Sequence, residues 1–351
     1  MRQVYWDESV YYEFTAHEVD VLECATNDLH QCCLQGVAHV IAKHLYAQLG
    51  IPNIAIPLIE RSWNESAHSL YGRFDLAYDG TSPPKLLEYN ADTPTSLIEA
   101  AIIQWYWVEE RFPGSDQFNS LHERLVAGWR GITSDRPHDV VHFVSMNGVE
   151  DLLTTMYLRD TAIQAGLETA QMTIRELGWY PAHQCFVDNA NHPVSTCFKL
   201  YPWEWMWQDP FAVYLTGASL TRWIEPPWKL ILSSKGILPI LWDLFPHHPN
   251  LLEARYEPGV LRSYVKKPKF SREGANIEII RAGQKLVCTA DAGYGAEGYI
   301  YQTLAPATRF DGYTPVLGSW IVQGEAAGVG VRESDGAVTN NLSRFIPHRM
   351  V

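Results

Sequence analysis

The chain has 351 residues, a formal net charge of −13, 46% hydrophobic residues and 12% aromatics, with 13 Trp and 18 Tyr. That apolar content excludes a disordered chain. The acidic balance, with no Lys/Arg stripe, excludes nucleic acid as a partner, because a phosphate backbone needs a basic footprint; the same field favours a cationic substrate such as a polyamine.

Six cysteines (Cys24, Cys32, Cys33, Cys185, Cys197, Cys288) lack CxxC spacing and read as thiols of a reducing compartment. The start Met1-Arg2-Gln3-Val4-Tyr5-Trp6-Asp7 has no basic segment followed by an apolar run, and no membrane-length apolar stretch occurs. The expectation is a cytoplasmic, mixed α/β protein of two or three packed lobes, with no membrane partner.

In chain order, Thr15 followed by Glu18 marks a helix start, with Phe14 and Val19 placed to staple it. Apolar residues then recur at helical spacing from Val19 to Leu45, so one or two helices are expected over 16–49. Residues 70–78 and 85–90 alternate on either side of Asp79-Gly80-Thr81-Ser82-Pro83-Pro84, which predicts a β-hairpin. Helices are expected over 95–111 and 116–129. A strand over 140–146, a helix over 150–166 and a strand over 169–174 form a βαβ-like cadence. Residues 261–346 read as strands punctuated by Gly.

The period of two places Arg73 and Asp75 on one face of the first hairpin strand, and Glu88 and Asn90 on one face of the second. Oxygen ligands from Asp75, Glu88 and Asn90 suit a hard cation such as Mg2+, and Arg73 offers a fork for phosphate or carboxylate oxygens. On spacing alone, cross-strand charges on a wet sheet face account for the same pattern. Lys235 and Lys267, with the small-residue loop Ser271-Arg272-Glu273-Gly274-Ala275-Asn276, have the makings of a triphosphate grip; each lysine alone equally reads as a surface charge. Arg332 and Asn340 flank a turn near Asp335-Gly336. There is no Walker A motif, and Gly328-x-Gly330 lacks a dinucleotide context. His138/His142 and His247/His248 have no zinc geometry, and no nucleophile elbow is present.

The string Leu70-Tyr71-Gly72-Arg73-Phe74-Asp75, with Leu87-Glu88-Tyr89-Asn90-Ala91-Asp92-Thr93-Pro94-Thr95-Ser96, resembles the glutathionylspermidine synthase family. The similarity continues through Gln117-Phe118-Asn119, Tyr201-Pro202-Trp203-Glu204-Trp205, Ser233-Ser234-Lys235, Lys267-Pro268 and Ser343-Arg344-Phe345. The resemblance implies an ATP-grasp fold with a pre-ATP-grasp domain. Residues 1–130 would be the helical and hairpin part carrying the metal ligands, 131–200 a pre-ATP-grasp-like substrate domain, and 201–351 the nucleotide lobe with the C-terminal catalytic strands.

It also implies an ATP-dependent ligase that joins a peptide carboxylate such as glutathione to an amine such as spermidine or an amino acid, through an acyl-phosphate. Asp75, Glu88 and Asn90 then match the Mg2+ ligands, and Arg73, Lys267 and Arg332 the catalytic cations. Lys235, Lys267, Ser271, Gly274, Gln302 and Arg332 match the ATP site. Arg73, Thr93, Thr95, Ser96, Glu150 and Asp151 match the substrate site, with Gln302 at the adenine hinge and Trp203 and Trp205 near the cleft. The second acid is Asp where the family's acidic pair differs, and the resemblance, confined to the synthetase half, leads to the expectation of a form without the Cys/His amidase domain of the bifunctional members. The alternative is a nucleotide-binding sensor that does not ligate. Replacing Asp75 by Ala is expected to stop turnover with the fold intact.

Overall fold

The computed structural model describes residues 5–216, 221–306, 308–340 and 343–351; the first four residues of the N-terminal stretch read above lie outside the described residues. Helix Ala16–Lys43 opens on the expected capping box. Thr15 Oγ1 accepts from the Glu18 N–H at 3.2 Å, and Glu18 Oε2 accepts from the Thr15 N–H at 2.8 Å. It ends at His44, whose φ of 54° breaks the helix before the short turn Tyr46–Leu49. No described helix is long and apolar enough to cross a membrane.

A five-stranded antiparallel sheet forms the centre, in the order Arg344–Ile346, Glu325–Ser334, Thr314–Val322, Tyr71–Ala77, Lys85–Asn90. Strand alternation divides its side chains between two cores. Phe74, Leu76, Leu317 and Ile321 pack with Leu22, Leu29, Cys33 and Val37 of the long helix, while Tyr71, Trp320 and Val322 pack with Leu121, Leu125 and Trp129 of helix Leu121–Ile132. Arg73 and Asp75 share the face of Tyr71, away from the long helix. The hairpin therefore aims its polar pair at the second layer of the molecule.

Two further sheets flank this centre. One is parallel, ordered Thr169–Thr173, Val141–Ser145, Thr196–Leu200, Arg222–Ile224, with helix Val149–Gln164 as the crossover. The other is antiparallel and runs Ala254–Arg255, Tyr299–Thr303, Tyr264–Pro268, Glu278–Arg281, Gln284–Cys288. The central sheet draws strands from both the first and the last third of the chain, and the parallel sheet reaches past residue 200.

Two expected helices differ in detail. Over 95–111 a π-helical segment, Glu99–Ile103, precedes the α-helix Gln104–Arg111, and the buried Gln104 amide donates to Ala100 O at 2.6 Å and to Val329 O at 2.9 Å. The helix expected from 116 begins only at Leu121, because Gln117 and Asn119 spend their side-chain amides on His348 O and Ala101 O.

Candidate active site

The hairpin register sets Asp75 opposite Glu88 and Arg73 opposite Asn90. Arg73 Nε donates to Asp75 Oδ1 at 2.7 Å, Nη2 to Oδ2 at 3.2 Å, and Nη1 to the carbonyl of Thr95 at 2.6 Å. Both side chains are buried. Burial alone would lower the Arg73 pKa, but the Asp75 carboxylate reverses this and raises it. Gly318 faces Asp75 on the neighbouring strand, and a Cβ there would stand 2.7 Å from Arg73 Cδ, so the absent side chain makes room for the arginine. Arg332 Nη2 lies 3.7 Å from Asp75 Oδ2; burial and the nearby Arg73 push its pKa down. One carboxylate thus serves two guanidiniums.

Lys235 follows the short helix Leu230–Ser233 and reaches Glu88 Oε2 at 3.1 Å and the Ser271 carbonyl at 2.9 Å. Lys267, on the middle strand of the second antiparallel sheet, donates to Leu87 O at 2.9 Å and Gln302 Oε1 at 2.7 Å. Burial lowers Lys267 to about 8, opposed by the Glu88 carboxylate and helped by the nearby Lys235. Burial pushes Glu88 up, yet the two ammonium groups outweigh this and hold it at about 2.

These groups line three adjoining pockets that share lining residues and together make one groove. Its inner section is lined by Val265, Ile279, Val316 and Leu87, with Lys267 and Gln302. The middle section holds Asp75, Glu88, Lys235, Lys267, Ser271 and Gly274. The outer section is lined by Arg73, Asn90, Thr93, Thr95, Glu150, Asp151, Trp205 and Arg332 among others. Gly274 has φ +69°, and a Cβ there would stand 2.5 Å from Thr339 O, so only glycine lets the Ser271–Asn276 loop pass this point.

Glu150 and Asp151 occupy the first turn of helix Val149–Gln164 at the outer end. Burial, then Glu150, raises the Asp151 carboxyl above its ordinary range.

Several sequence-level candidates sit differently from the simplest expectation. The Ser96 hydroxyl meets Tyr5 OH at 3.2 Å and does not line the groove. The Gln302 side chain is occupied by Lys267 and by Leu86 O at 3.0 Å, so it braces the lysine rather than presenting its amide to a base. Trp203 is fully buried, while Trp205 does reach the groove.

Sequence reasoning missed Arg272 and Glu204 as individual groups. Arg272 donates to Thr93 Oγ1 at 2.9 Å and pairs with Glu204 Oε1 at 2.8 Å, joining the phosphate-side loop to the substrate side. Only its place inside a loop that closes on lysine-rich neighbours signalled it.

A family model described as "Glutathionylspermidine synthase preATP-grasp" matches residues 1–351. The chain belongs to this family. A Haemophilus influenzae protein described as "Putative acid--amine ligase" is 41% identical, over 99% of this chain and 91% of that one. Trypanothione synthetase of Crithidia fasciculata is 30% identical over 92% of this chain, and the bifunctional glutathionylspermidine synthetase/amidase of Escherichia coli 28% over 96%. The chain spans 54% and 58% of the length of those two relatives. The chain is an ATP-dependent C–N ligase with a mixed α/β fold of the ATP-grasp type.

Proposed function

We propose that this ligase activates the carboxylate of a small peptide of the glutathione kind with Mg2+-ATP and joins it to an amine, either a polyamine or an amino acid. The observation that carries the reading is the order of chemistry along one groove: an apolar slot, two lysines, two arginines on one aspartate, then an acidic pair. The three sections share residues, so a nucleotide seated in the inner slot would extend its phosphates toward Arg73 and Arg332.

Asp75, Glu88 and Asn90 fit a hard cation by donor type. Asp75 and Glu88 face one another across the hairpin, Asn90 lies two residues beyond Glu88 on the same face, and a bound cation would take over carboxylate oxygens that Arg73 and Lys235 now hold. A bound Mg2+ would neutralise phosphate charge and orient the triphosphate. Lys235 and Lys267 would hold phosphate oxygens, with Ser271 and Gly274 placing the loop above them. Arg73 and Arg332 would draw the substrate carboxylate to the terminal phosphorus and spread the charge that develops there.

Attack by a carboxylate oxygen expels ADP and leaves an acyl-phosphate. The amine nitrogen then attacks the acyl carbon and expels phosphate. Thr93 and Thr95 border the acid; Glu150 and Asp151 would hold the cationic amine, and the raised Asp151 carboxyl suits it to accept the proton lost from nitrogen. In this reading the hairpin of the central sheet carries the metal ligands, the parallel sheet, which extends past residue 200 to Arg222–Ile224, lies on the substrate side, and the second antiparallel sheet forms the nucleotide lobe.

The test is ADP release with Mg2+-ATP over short peptides paired with polyamines and amino acids. Release must require both an acid and an amine, and Glu150→Gln/Asp151→Asn must raise KM for the amine at least about tenfold with KM for ATP unchanged. Release without an amine, or an unchanged amine KM, overturns the corresponding assignment.

A further inference from the structure

Behind the groove lies an ion pair that the mechanism does not use. Lys199, in the parallel-sheet strand Thr196–Leu200, and Asp92, two residues beyond Asn90, have side-chain exposures of 0% and 1%. Lys199 Nζ donates to Asp92 Oδ1 at 2.6 Å and to Tyr201 O at 3.0 Å, and lies 4.4 Å from the centre of the Trp203 ring. Asp92 Oδ2 accepts from the Trp203 N–H at 2.9 Å. The Lys199–Asp92 and Asp92–Trp203 contacts join the parallel sheet to the segment that follows the hairpin, while Tyr201 O and the Trp203 ring hold Lys199 on the sheet side.

Such a pair is a poor stability device. Burial pushes the Asp92 carboxyl up and the Lys199 ammonium down, so each charge is held against its preference for water. Apolar residues of similar volume commonly replace a buried pair at no loss of stability. What the pair does supply is position. Just beyond Asp92, Thr93 Oγ1 accepts from Arg272 and the Thr95 carbonyl accepts from Arg73. A fixed Asp92 therefore fixes an acceptor for one arginine on each side of the outer groove.

We propose that Asp92 and Lys199 are positioning residues: their ion pair pins residues 92–95 to the parallel sheet and, through Thr95 and Thr93, sets the aim of Arg73 and Arg272. The consequence for turnover rests on the ligase reading above; the pin itself does not. Misplacement of a reacting group by about 1 Å costs on the order of 10²-fold in rate, so loss of the pin is read in kcat rather than in nucleotide affinity.

The experiment compares wild type with Asp92→Leu/Lys199→Met, which exchanges the pair for apolar groups. Three quantities are measured: thermal midpoint, hydrogen exchange of the backbone amides at residues 93, 95 and 96, and steady-state kinetics. The proposal expects a near-native midpoint, exchange at those amides about tenfold faster or more, kcat about 10²-fold lower, and an ATP Kd within about threefold of wild type. Native exchange rates and native kcat in a folded double variant overturn it, because the pair is then only part of the core. Should the double variant not fold, Asp92→Asn is read at the same amides, and native exchange there overturns the proposal equally. If wild type turns over no acid and amine pair, the ligase reading fails while the exchange data still decide the pin.

Discussion

Nucleotide binding should weaken as the pH rises through the slightly alkaline range, and Lys267 should be the cause. Its ammonium is buried among Leu87 O, Gln302 and the Glu88 carboxylate, and burial, with Lys235 adding to it, brings its pKa from 10.5 to about 8. Such a group is about 90% charged at pH 7 and about 10% charged at pH 9. If only the charged form grips the triphosphate, affinity falls about tenfold between those points, or about 1.4 kcal/mol. Titration calorimetry of Mg2+-ATP without an acid substrate measures this, with Lys267→Arg as the comparison, since a guanidinium stays charged throughout. The stability linkage of the same group has the opposite sign. The folded pKa lies below the unfolded one, so the ligand-free fold carries a penalty below pH about 8 that is relieved as the pH rises toward 10.5. An ATP Kd constant within twofold from pH 7 to 9, or the same loss in Lys267→Arg, refutes the reasoning.

Three further outcomes follow from the same groups. Asp75→Asn should lower kcat by about 10²-fold or more, and differential scanning calorimetry should also show a loss of stability, of order 3 kcal/mol, because Arg73 keeps its burial and loses its ion pair. Burial of the pair adds a stability cost to the expectation that Asp75 can be removed with the fold intact. Gly318→Ala should reduce kcat about tenfold or more with ATP Kd unchanged, since the new methyl displaces Arg73 at Cδ; wild-type kcat would show that the guanidinium has slack. Glu88, with a folded value of about 2 against an ordinary 4.5, contributes stability that is complete above pH about 4.5 and fades as the pH falls toward 2. Urea midpoints from pH 2 to 6 should show that limb, and Lys235→Met should move it to higher pH.

What could be read from the sequence was what local rules decide. The period of two puts Arg73 with Asp75 and Glu88 with Asn90 whatever surrounds the hairpin, and the structure has both pairs facing the groove. The Thr15 cap is local in the same sense. The helix expected over 95–111 is legible as helix, but its π-helical opening runs directly into Gln104, whose amide bonds Val329 O across more than two hundred residues of chain.

The positions hardest to read were those whose role is fixed by how distant loops meet. Gln302 looks in sequence like one more strand residue beside an adenine slot. Strand pairing with Val265 instead places its amide between Lys267 and Leu86 O, where it braces a lysine. Asp92 and Lys199 look like any acid near a turn and any strand lysine. Their meaning is set by parallel pairing that brings Thr196–Leu200 beside Val141–Ser145, with the Lys199–Trp203 stretch reaching the end of the hairpin. A buried charge carries little information until its partner is known, because an unpaired one would be too costly to keep. Once paired, its connections say more than its identity: here the bonds of Asp92 to Lys199 and to the Trp203 N–H lead from the parallel sheet to the segment bearing the Thr93 and Thr95 acceptors. The residues that face substrate can therefore be proposed from motif and period, whereas those that aim them become visible only through the contacts of the fold.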